Sequence, residues 1–133
     1  MTDILLDTSV VIDYLRNDQR AVSYVNALIP PILSIITVGE IFEGCRDRNE
    51  LRLVEKTLAK FTIFPISEEI SVKAITLVKQ FHLSHGLRII DSLIAATAST
   101  YNFTLITSNI KHFRAITEVH LIKWPIDDKA VRV

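Results

Sequence analysis

The chain has 133 residues, of which 49% are hydrophobic, and it contains three Gly and four Pro. This length and composition predict one globular domain over residues 1–133 with a full core, and they exclude a disordered or fibrous chain. The formal net charge is zero and there is one Cys. The totals therefore indicate no polycationic face, and they exclude an intrachain disulfide.

A cytoplasmic protein without a membrane partner is expected from the rest of the composition. The N-terminus lacks a basic region followed by an apolar core, so we expect no signal peptide. Two long stretches, 21–39 and 92–110, contain no charged residue, but both contain Asn, Ser, Thr and Tyr. We interpret each stretch as helical and strand segments of a soluble fold, not as a membrane span.

Short apolar runs alternate with helix signals in the first half of the chain. Residues 4–6 predict a strand, after which Asp7, Thr8 or Ser9 can cap a helix to about Leu15. The next predicted elements are a helix over 19–28, a strand in 31–35, a helix over 37–45, a helix after Asp47 with Leu51, Val54 and Leu58 as its apolar face, and a strand in 61–66.

The second half repeats the alternation. Ser67 is predicted to cap a long helix that Gly86 ends, with an apolar stripe of Ile70, Ala74, Leu77, Val78 and Phe81. A helix over 89–101, a strand over 104–107, a short turn or helix and a strand over 119–124 follow. Alternating strands and helices predict an α/β fold with a parallel sheet covered on both faces.

Three carboxylates stand where the pattern expects apolar residues. Asp7 directly follows the first strand. Glu40 and Asp91 are each the only charged residue in a long stretch that is otherwise uncharged. Asn109 lies in a polar turn after the fourth predicted strand. Because sites in open parallel sheets form beyond the carboxyl ends of the strands, these side chains are expected to converge.

A divalent metal ion would explain such a cluster. Carboxylates brought together repel, and burial raises their pKa values, whereas a hard cation such as Mg²⁺ favours oxygen ligands. Mg²⁺ also leaves positions open for a phosphate and for a water molecule. The cluster therefore predicts hydrolysis of phosphodiesters.

Four motifs carry a specific resemblance. "LLDTSVVIDYL", "SIITVGEIFEG", "RIIDSLIAATA" and "LITSNIKHF" occur in this order along almost the whole chain. They resemble the successive motifs of the PIN-domain family, and most closely those of the VapC-type ribonuclease toxins of bacterial and archaeal toxin–antitoxin pairs. Each motif alone is weakly specific, but four in order are strongly specific.

The resemblance implies a set of site residues. The ligands of Mg²⁺ or Mn²⁺ would be Asp7, Glu40 and Asp91, with Asn109 as a fourth ligand, directly or through a water, and with Thr8, Ser9 and Thr107 orienting them. The family commonly has Asp at the fourth position. Asn109 leaves that ligand neutral, which puts a second metal ion in question.

The resemblance also implies a fold and partners. It implies a three-layer α/β/α sandwich with a five-stranded, mainly parallel sheet, and it implies a homodimer. The implied activity is a metal-dependent endoribonuclease that acts as the toxin of a type II pair on an RNA substrate. A cognate antitoxin would block the site with its C-terminal segment.

Several of these residues have a simpler interpretation. Asp7 could only cap a helix, Asn109 could be a turn residue, and Asp13 could bond locally. Glu43, close to the same helix face as Glu40, is the alternative ligand. The spacing of His82 and His85 permits a metal pair, but positive charge at a helix C-terminus is the favoured explanation.

Other residues have two possible roles. Lys111 and His112 could contact RNA or belong to a solvated turn. The basic run Arg46, Arg48, Arg52 and Lys56 predicts a solvated face, with phosphate contact as the alternative. Cys45 is expected to be a small buried residue.

Two other functions compete with the nuclease. A phosphoryl-accepting receiver or phosphatase-like domain fits poorly, because Ser9 stands where such phosphatases carry a second Asp, and no Lys directly follows strand 104–107. Labelling with acetyl phosphate would distinguish it. A degenerate, non-catalytic PIN module is supported by Asn109 alone. An RNA-cleavage assay with and without EDTA would distinguish this module from the nuclease.

Overall fold

The computed structural model describes residues 3–126. Its strands are β1 (Ile4–Leu6), β2 (Ile32–Ser34), β3 (Thr62–Phe64), β4 (Thr104–Thr107) and β5 (His120–Lys123). Its helices are α1 (Thr8–Leu15), α2 (Gln19–Asn26), α3 (Ile35–Glu43), α4 (Arg48–Leu58), α5 (Glu68–His85), α6 (Ile89–Tyr101) and α7 (Ile110–Phe113). The predicted alternation of strands and helices is confirmed.

The five strands form one sheet in the order β3-β2-β1-β4-β5, and every neighbouring pair is parallel. Leu5 of β1 pairs with Ile32 of β2 on one side and with Leu105 of β4 on the other. The strand order therefore reverses between β1 and β4. Such a reversal is where α/β sheets open a crevice for a ligand.

Helices cover both faces of the sheet, which confirms the three-layer sandwich. Leu5 and Leu105 pack against buried residues of α5 and α6, whereas Leu6 and Ile106 pack against buried residues of α1 to α4. Successive strand residues point to opposite faces, so two adjacent apolar residues in one strand supply two cores. Strands buried on both faces explain the continuous apolar runs of the sequence.

Some element boundaries differ from the prediction. Helix α3 begins at Ile35 instead of Thr37, because Ser34 ends β2 and its hydroxyl accepts a hydrogen bond from the Ile36 amide at 3.1 Å. Leu51 is 38% exposed, so the prediction that it belongs to the apolar face of α4 is wrong. The buried residues of that helix are Val54 and Leu58.

The long helix α5 has the predicted ends. The Ser67 hydroxyl accepts a hydrogen bond from the Ile70 amide at 3.1 Å. Gly86 follows the helix with φ of +71°, a left-handed conformation that glycine adopts at little cost. Within residues 3–126, none of the helices combines the length and the apolar character needed to cross a membrane.

Candidate functional site

Asp7 lies at the point where the strand order reverses. Its backbone amide donates to the carbonyl of Ile106 at 3.0 Å, so β1 remains paired to β4 up to this residue. Asp7 occupies the N-cap position of α1, yet its side chain makes no capping hydrogen bond. The simpler interpretation, a helix cap, therefore does not account for this carboxylate.

The Asp7 carboxylate is buried among polar groups, with 8% of the residue exposed. Its Oδ2 accepts a hydrogen bond from the Thr107 hydroxyl at 2.6 Å. Burial raises the pKa of Asp7, the Thr107 hydroxyl and then the Thr8 backbone amide oppose that effect, and the negative charges of Asp91 and Glu40 add smaller contributions to it. Asp91 and Glu40 are therefore near enough to Asp7 for their charges to affect the pKa of its carboxyl.

Glu40 reaches the same edge of the sheet from α3. Its Oε1 accepts a hydrogen bond from the Thr8 hydroxyl at 2.7 Å. The Thr8 oxygen also lies 3.3 Å from the hydroxyl oxygen of Thr37, a fully buried residue on the same helix as Glu40. A hydroxyl both donates and accepts, so Thr37 can hold Thr8 while Thr8 holds Glu40.

Asp91 and Asn109 share one neighbour, His112. Oδ2 of Asp91 lies 3.3 Å from His112 Nδ1, and the side-chain amide of Asn109 lies 2.8 Å from the same nitrogen. Asp91 is in the first turn of α6 and His112 is in α7. Asn109 precedes α7 without capping it through its side chain.

The segment between β4 and α7 is held by hydroxyl groups. The Ser9 hydroxyl accepts from the backbone amide of Ser108 at 3.2 Å. The Thr107 hydroxyl, besides donating to Asp7, accepts from the backbone amide of Asn109 at 2.9 Å. Of the three residues predicted to orient the cluster, Thr8 and Thr107 each bond one of its carboxylates, whereas Ser9 bonds the backbone of Ser108 beside it.

The acidic side chains stand apart in this arrangement. Among residues 3–126, no three His, Cys, Asp or Glu side chains are spaced to surround a metal ion. Carboxylates close to one another repel, which favours separate positions for the three side chains. One oxygen of Asp7 and one of Glu40 accept a hydrogen bond from a threonine hydroxyl, and one oxygen of Asp91 lies 3.3 Å from His112 Nδ1.

The alternative site residues lie elsewhere or have other contacts. Asp13 accepts a hydrogen bond from the Trp124 indole nitrogen at 2.9 Å, which ties α1 to the end of β5. Glu43, the alternative ligand, is exposed. His82 Nδ1 lies 2.8 Å from the carbonyl of Leu87, an acceptor, so this ring is engaged by the backbone after α5.

A groove of about 1060 Å³ runs from Glu40 between α1, α3 and α4. Its walls include Arg16 and Arg46 as well as Leu53, which is 67% exposed. Arg46 also pairs with Glu50 at 3.2 Å. The rest of the basic run, Arg48, Arg52 and Lys56, is exposed, and Cys45 is half-buried in the groove wall instead of fully buried as expected.

Two residues of the cluster were not assigned there from the sequence. Thr37 bonds to Thr8 through a contact between α1 and α3, which no local pattern indicates. His112 was predicted to contact RNA or solvent, whereas it lies against Asp91 and Asn109. Its spacing from Asn109, three residues along a short helix, is the signal that could have indicated the second contact.

Comparisons with known proteins agree with this fold. The family model of the PIN domain matches residues 4–119. Ribonuclease VapC of Rickettsia bellii is 31% identical over 94% of this chain and 98% of its own length. Ribonuclease VapC10 of Mycobacterium tuberculosis is 32% identical over 83% of this chain and 85% of its own length.

A solved structure supports the same grouping. A chain of a toxin-antitoxin complex from Klebsiella pneumoniae aligns with a TM-score of 0.77 and 27% identity, covering 91% of this chain and 97% of that one. The chain studied here therefore belongs to the PIN-domain family, within its VapC group.

Proposed function

We propose that this protein is a Mg²⁺- or Mn²⁺-dependent endoribonuclease that acts as the toxin of a type II toxin–antitoxin pair. The observation that carries the proposal is the position of Asp7, buried at the reversal of the sheet with Asp91 and Glu40 close enough to raise its pKa. A buried carboxylate beside two others is unfavourable unless a cation or protons compensate the charge. The names of the VapC relatives supply the substrate class, RNA.

The donor set fits a hard divalent cation. Asp7, Glu40 and Asp91 would supply carboxylate oxygens, and Asn109 a carboxamide oxygen, directly or through a water. The carboxylates would turn toward one another on binding, because the metal-free arrangement surrounds no ion. When bound, the ion would supply Lewis acidity that promotes attack of water on phosphorus and stabilises charge on the phosphoryl oxygens.

The protein's own groups would limit how far the ligands can move. The hydroxyl of Thr107 fixes one oxygen of Asp7, and the hydroxyl of Thr8 fixes one oxygen of Glu40. The second oxygen of each carboxylate would serve as the ligand. Hydrogen bonds of this kind hold metal-binding side chains in a productive orientation, and their loss typically costs 10- to 100-fold in metal affinity or activity.

The groove beside Glu40 is the surface on which we place the macromolecular partners. Arg16 and Arg46 on its walls offer positive charge for phosphates of an RNA that reaches the carboxylates. The antitoxin is proposed from the toxin-antitoxin complexes among the structural relatives, and its C-terminal segment would block the same site. A homodimer is proposed from the family resemblance.

A non-catalytic PIN module is the second candidate. Asn109 favours it, since a neutral residue stands where the family commonly has a carboxylate. The two candidates differ in one measurable property, because a module without catalytic function would leave RNA intact under all metal conditions.

Cleavage of total bacterial RNA by the purified protein tests the proposal. We expect cleavage with Mg²⁺ or Mn²⁺, none with EDTA, and none by Asp7→Asn or Asp91→Asn at any metal concentration. Glu55→Gln, which removes an exposed carboxylate of α4 outside the cluster, serves as the matched control and should cleave like wild type. Intact RNA with folded wild type, or cleavage that EDTA leaves unchanged, would refute the metal-dependent nuclease.

A further inference from the structure

We infer that His112 is a positioning residue of the site, and that its Nδ1 carries the hydrogen that holds Asp91 and Asn109 together. The inference deepens the proposed function and rests on it for its catalytic meaning. The observation itself, one ring nitrogen in contact with two side chains, is independent of that function.

The three acidic side chains show a common pattern that leads to His112. Thr107 donates to Oδ2 of Asp7 at 2.6 Å, and Thr8 donates to Oε1 of Glu40 at 2.7 Å. Among residues 3–126, the side chain that stands in the corresponding place beside Asp91 is His112, with Nδ1 at 3.3 Å from Oδ2. Each carboxylate thus has one oxygen beside a side chain from a different element of the fold.

The chemistry of the ring nitrogen decides which group donates. If Nδ1 were the unprotonated nitrogen, it could accept from the Asn109 amide, but its lone pair would then face the Asp91 carboxylate at 3.3 Å. A carboxylate accepts and cannot donate, so that arrangement places two electron-rich atoms against each other. If Nδ1 carries the hydrogen, the contact with Asp91 becomes a hydrogen bond to a charged acceptor, which is the stronger kind.

The same assignment sets the orientation of Asn109. An N–H group at 2.8 Å requires an acceptor, so the Asn109 carboxamide presents its oxygen to His112. A half-turn about the last side-chain bond exchanges the amide oxygen and nitrogen without moving the rest of the residue. One hydrogen is then shared by two oxygens, one of Asp91 and one of Asn109. The carboxamide oxygen has a second lone pair, so Asn109 can accept from His112 and still offer an electron pair to an ion.

The position of His112 explains how a neutral residue serves at the fourth place of the cluster. Asn109 and His112 are three residues apart on one face of the turn that opens α7. Through this one ring, α7 holds both Asp91 of α6 and Asn109. His112 is half-buried, with its side chain 35% exposed, so water competes only in part for the contact.

The tautomer of His112 is the first test, and it needs neither metal nor RNA. Long-range ¹H–¹⁵N correlation spectra of the metal-free protein at pH 8 distinguish a ring protonated at Nδ1 from one protonated at Nε2. Signals of His112 are identified by their loss in His112→Asn. We expect the Nδ1–H form, and finding the Nε2–H form overturns the inference whether or not the protein is a nuclease.

Two conservative variants separate the two ring nitrogens. The side-chain amide nitrogen of Asn lies near the position of the His Nδ1 atom, whereas the longer side chain of Gln places its amide nitrogen near the position of Nε2. Mn²⁺ binding followed by calorimetry should weaken about 10- to 100-fold in His112→Ala and in His112→Gln, as for other residues that orient metal ligands. His112→Asn should restore affinity to within about threefold of wild type, and His120→Asn, at an exposed residue of β5, is the matched control.

The outcomes of the binding experiment are distinct. Equal affinity in His112→Gln and His112→Asn, with both variants folded, would overturn the positioning role of Nδ1. Absence of Mn²⁺ binding in wild type would count against the proposed function instead, while the tautomer of the metal-free protein would still decide whether His112 holds Asp91.

Discussion

Thr107→Val removes the hydroxyl that donates to Asp7 while keeping the shape of a fully buried side chain. The hydrogen bond is 2.6 Å long and its acceptor is a buried carboxylate. A hydrogen bond to a charged group contributes about 1.5–3 kcal/mol. The same hydroxyl accepts from the Asn109 amide at 2.9 Å, and the loss of that partner adds about 1 kcal/mol for a partly buried donor.

We therefore expect Thr107→Val to lower the free energy of unfolding of the metal-free protein by about 2.5–4 kcal/mol at pH 8. The measurement is urea unfolding followed by circular dichroism, with unchanged m-values required for the comparison. Thr97→Val is the matched control, because Thr97 is equally buried and its hydroxyl donates to the Leu93 carbonyl at 2.8 Å, a neutral acceptor. Thr97→Val should lower the free energy of unfolding by no more than about 1 kcal/mol.

A double-mutant cycle isolates the charge. In an Asp7→Asn background the acceptor at position 7 is neutral, but the Asn109 amide still loses its partner, so Thr107→Val should cost about 2 kcal/mol. The difference from the wild-type background corresponds to a coupling energy of roughly 0.5–2 kcal/mol. If Thr107→Val costs no more than Thr97→Val, or if the coupling energy is near zero, the hydroxyl does not support the Asp7 carboxylate. The account of how this carboxylate is held would then be wrong.

Three further predictions concern the acidic residues and the cell. Because the pKa of Asp7 is raised in the folded state, the stability contributed by its protonated form is fully present below the pKa of the unfolded chain and is lost as pH rises through the folded-state pKa. Asp7→Asn should therefore be more stable than wild type above the folded-state pKa. Urea unfolding of the two metal-free proteins at a series of pH values would show this difference. Asn109→Asp adds a negative charge beside the proposed ion, so its Mn²⁺ titration midpoint should fall about tenfold, roughly 1–2 kcal/mol, and an unchanged midpoint would place Asn109 away from the metal. Expression of the wild type alone should arrest growth and that of Asp91→Asn should not; equal growth of both, with soluble protein, would contradict the toxin proposal.

Much of the fold was predictable because it depends on local patterns. Alternating apolar runs and helix signals predict the strands and helices in their correct order, and Ser67 and Gly86 mark the ends of α5. The wrong prediction for Leu51 also came from a local pattern, the spacing of apolar residues along one helix. Its spacing matches the apolar stripe of α4, but the helix turns only Val54 and Leu58 toward the core.

The candidate residues were predictable for a different reason. An isolated charge in an apolar stretch is costly to bury, so Asp7, Glu40 and Asp91 are conspicuous in the sequence. The parallel sheet then requires residues after its strands to meet at one edge. Neither argument predicts which donor each carboxylate contacts, since those contacts depend on side-chain orientations within a few ångströms.

The sequence by itself determined the order and type of the elements, the two-sided burial of the strands and the identity of the acidic residues, because propensity, periodicity and the cost of burying charge all act locally. Only the tertiary structure decided the strand order β3-β2-β1-β4-β5 and the pairing of donors with carboxylates. Thr107 and Asp7 lie 100 positions apart and meet because β1 and β4 are neighbours in the sheet. His112 meets Asp91 because α7 packs beside the first turn of α6. Contacts of this kind arise when separate elements are packed together, and no pattern within one element encodes them.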